Sequence, residues 1–233
     1  MRTILARSLS SLRERGLVET ALRASSIVEE RLFDLRYGTD TVSLVRLRPE
    51  AVSSPNASKG VDYQPTRIRP FRKMLAAMNP GFDSVLVDYG CGKGRTLLIA
   101  AECGFSRSVG IEFVPALIEV ARLNVAKYRQ KTGSKVDIQI VEADAAEYDV
   151  QDDQTHYYFY NPFNADVLRQ VLQRITESLK RIPRRVCVIY NNPQHGDVVE
   201  AAGFYPTMHY ERREIVIYSN YPPSVVPECG KLY

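Results

Sequence analysis

A chain of 233 residues, 45% hydrophobic and 25% charged, is long enough for one large domain, or one domain with a small appendage, and has an ordinary globular composition. No apolar run approaches the roughly 20 residues a spanning helix needs, which excludes a helical membrane protein. The net charge of +4 does not choose between a nucleic-acid patch and a solvated helix face for the basic clusters Arg67, Arg69, Arg72, Lys73 and Lys180, Arg181, Arg184, Arg185.

Residues 1 to about 36 read as helical with a break near Gly16. The early arginines Arg2, Arg7, Arg13 and Arg15 faintly resemble a transit peptide. Glu14 and Glu19, and the apolar run on to Ile27, Val28, Leu32 and Phe33, favour an amphipathic appendage instead. Residues 36–60 carry Gly38, Pro49, Pro55 and several serines and read mostly as loop. The expected division is therefore a helical and loop appendage over 1–60 and a main domain over 61–233.

From Arg67 the pattern becomes regular. Ile68, Phe71, Leu75 and Met78 predict a helix that Pro80-Gly81 ends, with Thr66 as a candidate N-cap. A strand over Ser84–Asp88 leads to a helix over Arg95–Glu102, closed by Gly104. A strand over Ser108–Ile111 is followed by a helix over Pro115–Tyr128. Alternating Val136, Ile138 and Ile140 predict a third strand, and His156–Tyr160 a fourth. Leu168, Val171, Leu172, Ile175 and Leu179 form the inner stripe of a long helix. Val186–Tyr190 is a fifth strand, then a short helix over Val198–Ala202. Thr207–Tyr210 and Glu214–Ser219 are spaced to pair as an antiparallel hairpin. Such alternation predicts an α/β protein with a doubly wound, mainly parallel sheet and a site beyond the carboxyl ends of its strands.

The cysteines Cys91, Cys103, Cys187 and Cys229 are scattered, without paired metal spacing. Reduced thiols, no zinc site and a cytoplasmic location are expected.

The run Asp88-Tyr89-Gly90-Cys91-Gly92-Lys93-Gly94-Arg95 follows the first strand and opens a helix. Alternate glycines permit a sharp turn and close approach of a ligand to backbone N–H groups. The third glycine arrives one position too early for a dinucleotide fingerprint, and Arg95 stands where that glycine belongs. Asp88 repels a phosphate but can hold a cationic amino group, and S-adenosylmethionine carries that group and no phosphate. Glu112 ends the second strand, where a carboxylate can accept from both ribose hydroxyls. Asp144 follows the third strand, where it can accept from an adenine amino group.

As a set, Asp88 to Gly94, Glu112 and Asp144 resemble the cofactor motifs of class I S-adenosylmethionine-dependent methyltransferases, over roughly residues 61–219. The resemblance implies a seven-stranded sheet with an antiparallel final pair. It implies donor binding by Asp88, Gly90, Cys91, Gly92, Gly94, Glu112, Phe113, Asp144 and Ala145, with S-adenosylhomocysteine as the product. The Gly-Lys-Gly-Arg loop with Tyr-Asn-Pro-Phe resembles certain bacterial methyltransferases. Tyr63-Gln64-Pro65-Thr66 is reminiscent of non-SET protein lysine methyltransferases, and Tyr63 and Thr66 are candidates to fold over the donor.

Tyr160-Asn161-Pro162-Phe163 is similar to the Asn/Asp-Pro-Pro-Tyr/Phe motif of amino-group methyltransferases, with one proline missing. By that similarity Asn161 and a backbone carbonyl orient the acceptor nitrogen, and Phe163 or Tyr160 contacts the sulfonium. Against this stands an asparagine-capped turn. Asn191 and His195 are weaker acceptor-pocket candidates, His195 reading better as a surface or helix-start residue. The expected function is N-methylation of a protein lysine or a small-molecule amine. A nucleic-acid base methyltransferase and a non-catalytic adenosylmethionine-binding protein remain as alternatives.

Overall fold

The computed structural model describes residues 17–43, 65–210 and 214–222. Its centre is a seven-stranded sheet in the order β3-β2-β1-β4-β5-β7-β6. The strands are β1 Val85–Tyr89, β2 Arg107–Glu112, β3 Asp137–Glu142, β4 His156–Tyr160, β5 Cys187–Asn191, β6 Tyr205–Tyr210 and β7 Ile215–Ser219. β3 through β5 pair in parallel, and β7 runs antiparallel to both β5 and β6. This is the expected doubly wound sheet. The predicted hairpin is present, but its second strand, β7, inserts between β5 and β6.

Two apolar layers follow from the two-residue period of the strands. Val85, Val87, Tyr89, Tyr157, Phe159, Val188 and Tyr190 bury one face with α5, Ala165–Arg181. That helix buries Val167, Leu168, Val171, Leu172 and Ile175 at helical spacing, and the Asn164 side chain caps it by accepting from Val167 N at 3.1 Å. Leu86, Tyr158, Ile189, Ile215 and Ile217 face the other way. There they meet α1 (Leu17–Tyr37), α2 (Ile68–Ala77), α3 (Arg95–Glu102) and α4 (Pro115–Thr132). β1 is buried along its whole length because helices cover both its faces.

The observed α1 begins at Leu17, so the expected helix over the first 16 residues lies outside the described ones. Phe33 and Tyr37 of α1 are core residues, with Tyr37 packed 5.1 Å from Tyr128 of α4. β6 starts two residues earlier than Thr207, taking in Pro206. A proline is tolerated there because β6 is the sheet edge, and the register shifts just after it. The N-cap of α2 is Arg67, not Thr66, and makes no side-chain cap bond. Among the described residues no helix is long and apolar enough to cross a membrane. Cys91 and Cys103 are free thiols, and Cys229 lies outside the described residues.

β1, β2, β3, β4 and β5 all end on one edge, at Tyr89, Glu112, Glu142, Tyr160 and Asn191. The strand order reverses between β1 and β4 on that edge, where open α/β sheets bind ligands.

Candidate functional site

The chain leaves β1 through a turn in which Gly90 N and Cys91 N both donate to Ile111 O, at 2.9 and 3.1 Å. Gly90, Gly92 and Gly94 have φ of 80°, 54° and 78°, a region that any other residue enters only with strain. α3 then starts with Gly94 at its N-cap and no side-chain cap, which leaves the first N–H groups of the helix free of a capping side chain. A Cβ on Gly90 would stand 3.1 Å from Pro162 Cβ, so the loop after β1 and the turn after β4 touch.

Glu112 fastens this loop from the β2 side. Its Oε2 accepts from Gly92 N at 2.9 Å, and its Oε1 from Phe113 N and Val114 N at 2.9 and 3.0 Å. The carboxyl is 5% exposed, and burial raises its pKa against those three bonds. Two oxygens offer about four lone-pair sites, so three bonds leave room for a ligand hydroxyl. Cys91 is buried with its thiol pushed far up by burial, which makes it packing rather than a nucleophile. Gly110 beneath it is obligatory, since a Cβ there would meet Cys91 Sγ at 2.6 Å.

Asp88 points into the α1–α4 side of the sheet, opposite Val87 and Tyr89. It is 3% exposed and accepts from the Thr96 hydroxyl of α3 through Oδ2. Burial drives its carboxyl from an ordinary 3.8 to about 7; the Thr96 bond pulls down and the charge of Glu112 pushes up. No cationic side chain among the described residues forms an ion pair with it. Asp144 Oδ1 accepts from Ala146 N at 2.9 Å, a local turn that sets Ala145 at the end of β3, and both residues are partly exposed.

The cations of the loop have a role that sequence reasoning missed. Lys93 has a fully buried side chain, and its ammonium donates to Asp40 Oδ2 at 3.2 Å and Ser43 Oγ at 2.6 Å. Arg95, 2% exposed, donates to Thr41 Oγ1, Thr41 O and Thr66 O at 2.9, 3.1 and 2.9 Å. Their partners lie some 30 to 55 positions away, beyond the reach of any spacing rule. The available signal was the run of small polar groups Thr39, Asp40, Thr41 and Ser43, too rich in side-chain donors and acceptors for an ordinary spacer.

On the β4 side, Asn161 has φ of 40° and its Oδ1 accepts from Tyr190 Oη at 3.3 Å. Pro162 stands against Gly90. Phe163 is 9% exposed, its ring edge-on to Phe159 with centroids 6.0 Å apart, so the core holds it. Tyr160 faces the other way and lines a cleft with Thr66, Arg67, Pro70, Phe71, Asn191, Glu214 and Ile215. Of the two aromatic candidates, Tyr160 is therefore the one on the cleft. The Thr66 hydroxyl pairs with Tyr158 Oη at 2.7 Å, which also accepts from Asn191 Nδ2 at 3.0 Å. Arg67 and Glu214 form an exposed ion pair of 3.0 Å at the rim.

Arg72 is tied to Glu102 at 2.8 Å, which leaves Arg69 and Lys73 as the exposed cations of their cluster with no ion pair among the described residues. In the second cluster Arg184 ties the strand and helix ends through Gln154 O, Ser178 Oγ and Tyr157 Oη. His195 stands at the start of a helix of six residues, α6 Gly196–Ala201, with no side-chain cap bond. Tyr63 lies outside the described residues.

Residues 86–181 match the methyltransferase domain family. A ribosomal protein L11 methyltransferase of Burkholderia mallei is 32% identical over 75 residues, which cover 32% of this chain and 24% of that protein. The equivalent protein of Burkholderia multivorans is 36% identical over the same length and shares. The match thus spans about a quarter of the length of these relatives. A S-adenosylmethionine-dependent methyltransferase from Aquifex aeolicus has the same fold, with a TM-score of 0.50 over 76% of this chain and 100% of that one at 12% identity. Over residues 86–181 the chain is thus similar to the methyltransferase domain family, and its fold is the Rossmann-like one of an S-adenosylmethionine-dependent methyltransferase.

Proposed function

We propose that the protein is an N-methyltransferase acting on a protein lysine or a small-molecule amine at the cleft beside Tyr160. The observation that carries this reading is the contact between Gly90 and Pro162. It brings the donor loop and an amide-bearing turn, Asn161-Pro162, to one edge of the sheet.

The residues present fit the donor. Three left-handed glycines let it approach the backbone with no Cβ in the way, their own N–H groups being held by Ile111 O, Glu112 Oε2 and Cys91 O. Glu112 keeps an accepting site for the ribose, and Asp88 is a buried acid without a cationic partner among the described residues, suited to the amino group. Asp144 and Ala145 are assigned to the adenine end. The donor, when bound, supplies a methyl group on a cationic sulfur. The protein's task is to present a nitrogen lone pair in line behind that methyl and to exclude water, and positioning alone is worth orders of magnitude in rate. Asn161 is assigned to orient the nitrogen, with one lone pair of Oδ1 on Tyr190 and the other open. Tyr160 and Phe71 give the cleft apolar walls. A lysine ammonium there is pushed toward its neutral, nucleophilic form by desolvation. Glu214 opposes this less than a free carboxylate does, because Arg67 already pairs with it. The ribosomal protein acceptor in the names of the two relatives supports a protein acceptor.

The test is incubation with methyl-labelled donor and cell lysate, with the label sorted among protein, amines and nucleic acid. Label in protein or in an amine is expected, and label in nucleic acid or in nothing overturns the proposal. The variant Asn161→Ala should bind S-adenosylhomocysteine as the wild type does while turnover falls about 100-fold, the usual scale for lost orientation.

A further inference from the structure

A glycine-rich loop holds no shape by itself, because glycine has the most backbone freedom to lose. Glu112 fastens Gly92 from one side. From the other side the loop is held by the segment that follows α1. Asp34 organises that segment by accepting from Thr39 Oγ1, Thr41 N, Thr41 Oγ1 and Val42 N. Asp40 and Ser43 then take the buried Lys93 ammonium, and Thr41 takes two bonds from the Arg95 guanidinium. Asn124 of α4 joins the two backbones directly: it accepts from Asp40 N at 2.8 Å and donates to Asp40 O and Lys93 O, each at 3.0 Å. Through its bond to Thr66 O, Arg95 also ties the segment to the cleft wall.

Building on the donor reading above, we infer that residues Asp40 to Ser43 are a positioning element of the donor site, coupled to donor binding through Lys93, Arg95 and Asn124. The segment holds the Gly92–Arg95 backbone in the shape that receives the donor, and the loop holds the segment. Coupling of this kind is reciprocal, so a donor that selects the ordered loop also orders the segment. Lys93 makes the coupling sharp. Its charge is enclosed, so losing the Asp40 carboxylate leaves a buried cation short of its counter-ion, and the segment or the loop must shift to hydrate it.

Titration calorimetry with S-adenosylhomocysteine on the full chain tests this. Asp40→Asn keeps the backbone bonds to Asn124 and should weaken binding about tenfold, a typical coupling free energy. Adding Lys93→Met removes the stranded cation, and Asp40→Asn/Lys93→Met should return affinity to within about threefold of the wild type, since without the buried charge no counter-ion is needed. S-adenosylhomocysteine should also slow amide hydrogen exchange at Thr41 and Val42 in the wild type. Wild-type affinity in Asp40→Asn, no recovery in the double variant, or exchange at Thr41 and Val42 indifferent to the ligand would each overturn the coupling. Failure of the wild type to bind S-adenosylhomocysteine would count against the donor reading of the loop instead.

Discussion

Asp88 is the group whose energetics the structure states most directly, and Asp88→Asn is the perturbation that reads them. Burial lifts the carboxyl from 3.8 to about 7. At about 1.4 kcal/mol per factor of ten, keeping it ionised in the native state above pH 7 costs up to about 4 kcal/mol. The native pKa lies above the unfolded one, so between pH 4 and 7 the native state binds the extra proton. Its contribution to stability is greatest at low pH and falls as pH rises through that window. The asparagine keeps an oxygen for the Thr96 hydroxyl and cannot ionise. The stability of Asp88→Asn relative to wild type should therefore climb from pH 5 to pH 8. Half of the full figure, about 2 kcal/mol, raises Tm by roughly 4–8 °C for a chain of this size.

The wild-type curve alone hides this. His156, partly buried against Phe105, is depressed from 6.5 to about 4 by burial. Its stabilisation is full above pH 6.5 and is lost as pH falls toward 4, the opposite slope over nearly the same range. The variant-minus-wild-type difference, from urea melts at pH 5, 6, 7 and 8, isolates the carboxyl. The same change should weaken S-adenosylhomocysteine binding about tenfold or more, since hydrogen bonds to charged groups contribute about 1.5–3 kcal/mol. Wild-type binding at pH 6.5 should release a proton as a cationic amino group ionises Asp88, seen as a dependence of the calorimetric enthalpy on the buffer. A flat stability difference across pH 5–8 would refute the buried-acid reasoning, and unchanged affinity would refute the donor contact.

The remaining expectations concern the loop and its support. Gly110→Ala places a methyl 2.6 Å from Cys91 Sγ and 2.8 Å from Cys91 Cβ, an overpacking of about 1–3 kcal/mol; differential scanning fluorimetry should show a fall in Tm, and an unchanged Tm would mean that the loop yields freely. Glu112→Gln has one oxygen where two now accept from Gly92 N on one side and Phe113 N and Val114 N on the other. At least one N–H then faces an NH2 donor, which costs about 1–3 kcal/mol, and affinity for S-adenosylhomocysteine should fall at least fivefold by calorimetry.

How much of this was legible beforehand depends on the range of the forces. The sheet was readable because a strand buried on both faces is an apolar run and a covering helix shows its stripe, as in Val85–Tyr89 and Val167–Ile175. The turn glycines and Glu112 were readable because their demands are local: a left-handed φ, and a carboxylate at a strand end. Thr66 misled because a hydroxyl before a helix looks like a cap, whereas its partner, Tyr158, lies 92 positions away across the sheet. Phe163 and Tyr160 looked interchangeable beside Asn161. Strand parity separates them, since Phe163 shares the face of Phe159 and Tyr160 shares that of Tyr158.

Lys93 and Arg95 show the limit most clearly. In the sequence they are two cations beside a nucleotide loop, the usual sign of an anionic ligand. In the fold both are enclosed, and a cation without water must find acceptors inside the protein. Carbonyls, hydroxyls and one carboxylate of residues 40–43 and 66 provide them, and Glu30 of α1 adds a second carboxylate 3.7 Å from the Arg95 guanidinium. That exchange of roles bears on the donor itself. With both positive charges already neutralised or hydrogen-bonded within the protein, the loop offers an incoming ligand backbone N–H groups and the acids Asp88 and Glu112. Such a site disfavours a diphosphate and favours a cationic adenosyl compound, so the clasp on residues 40–43 and the choice of donor are two consequences of one arrangement of charge.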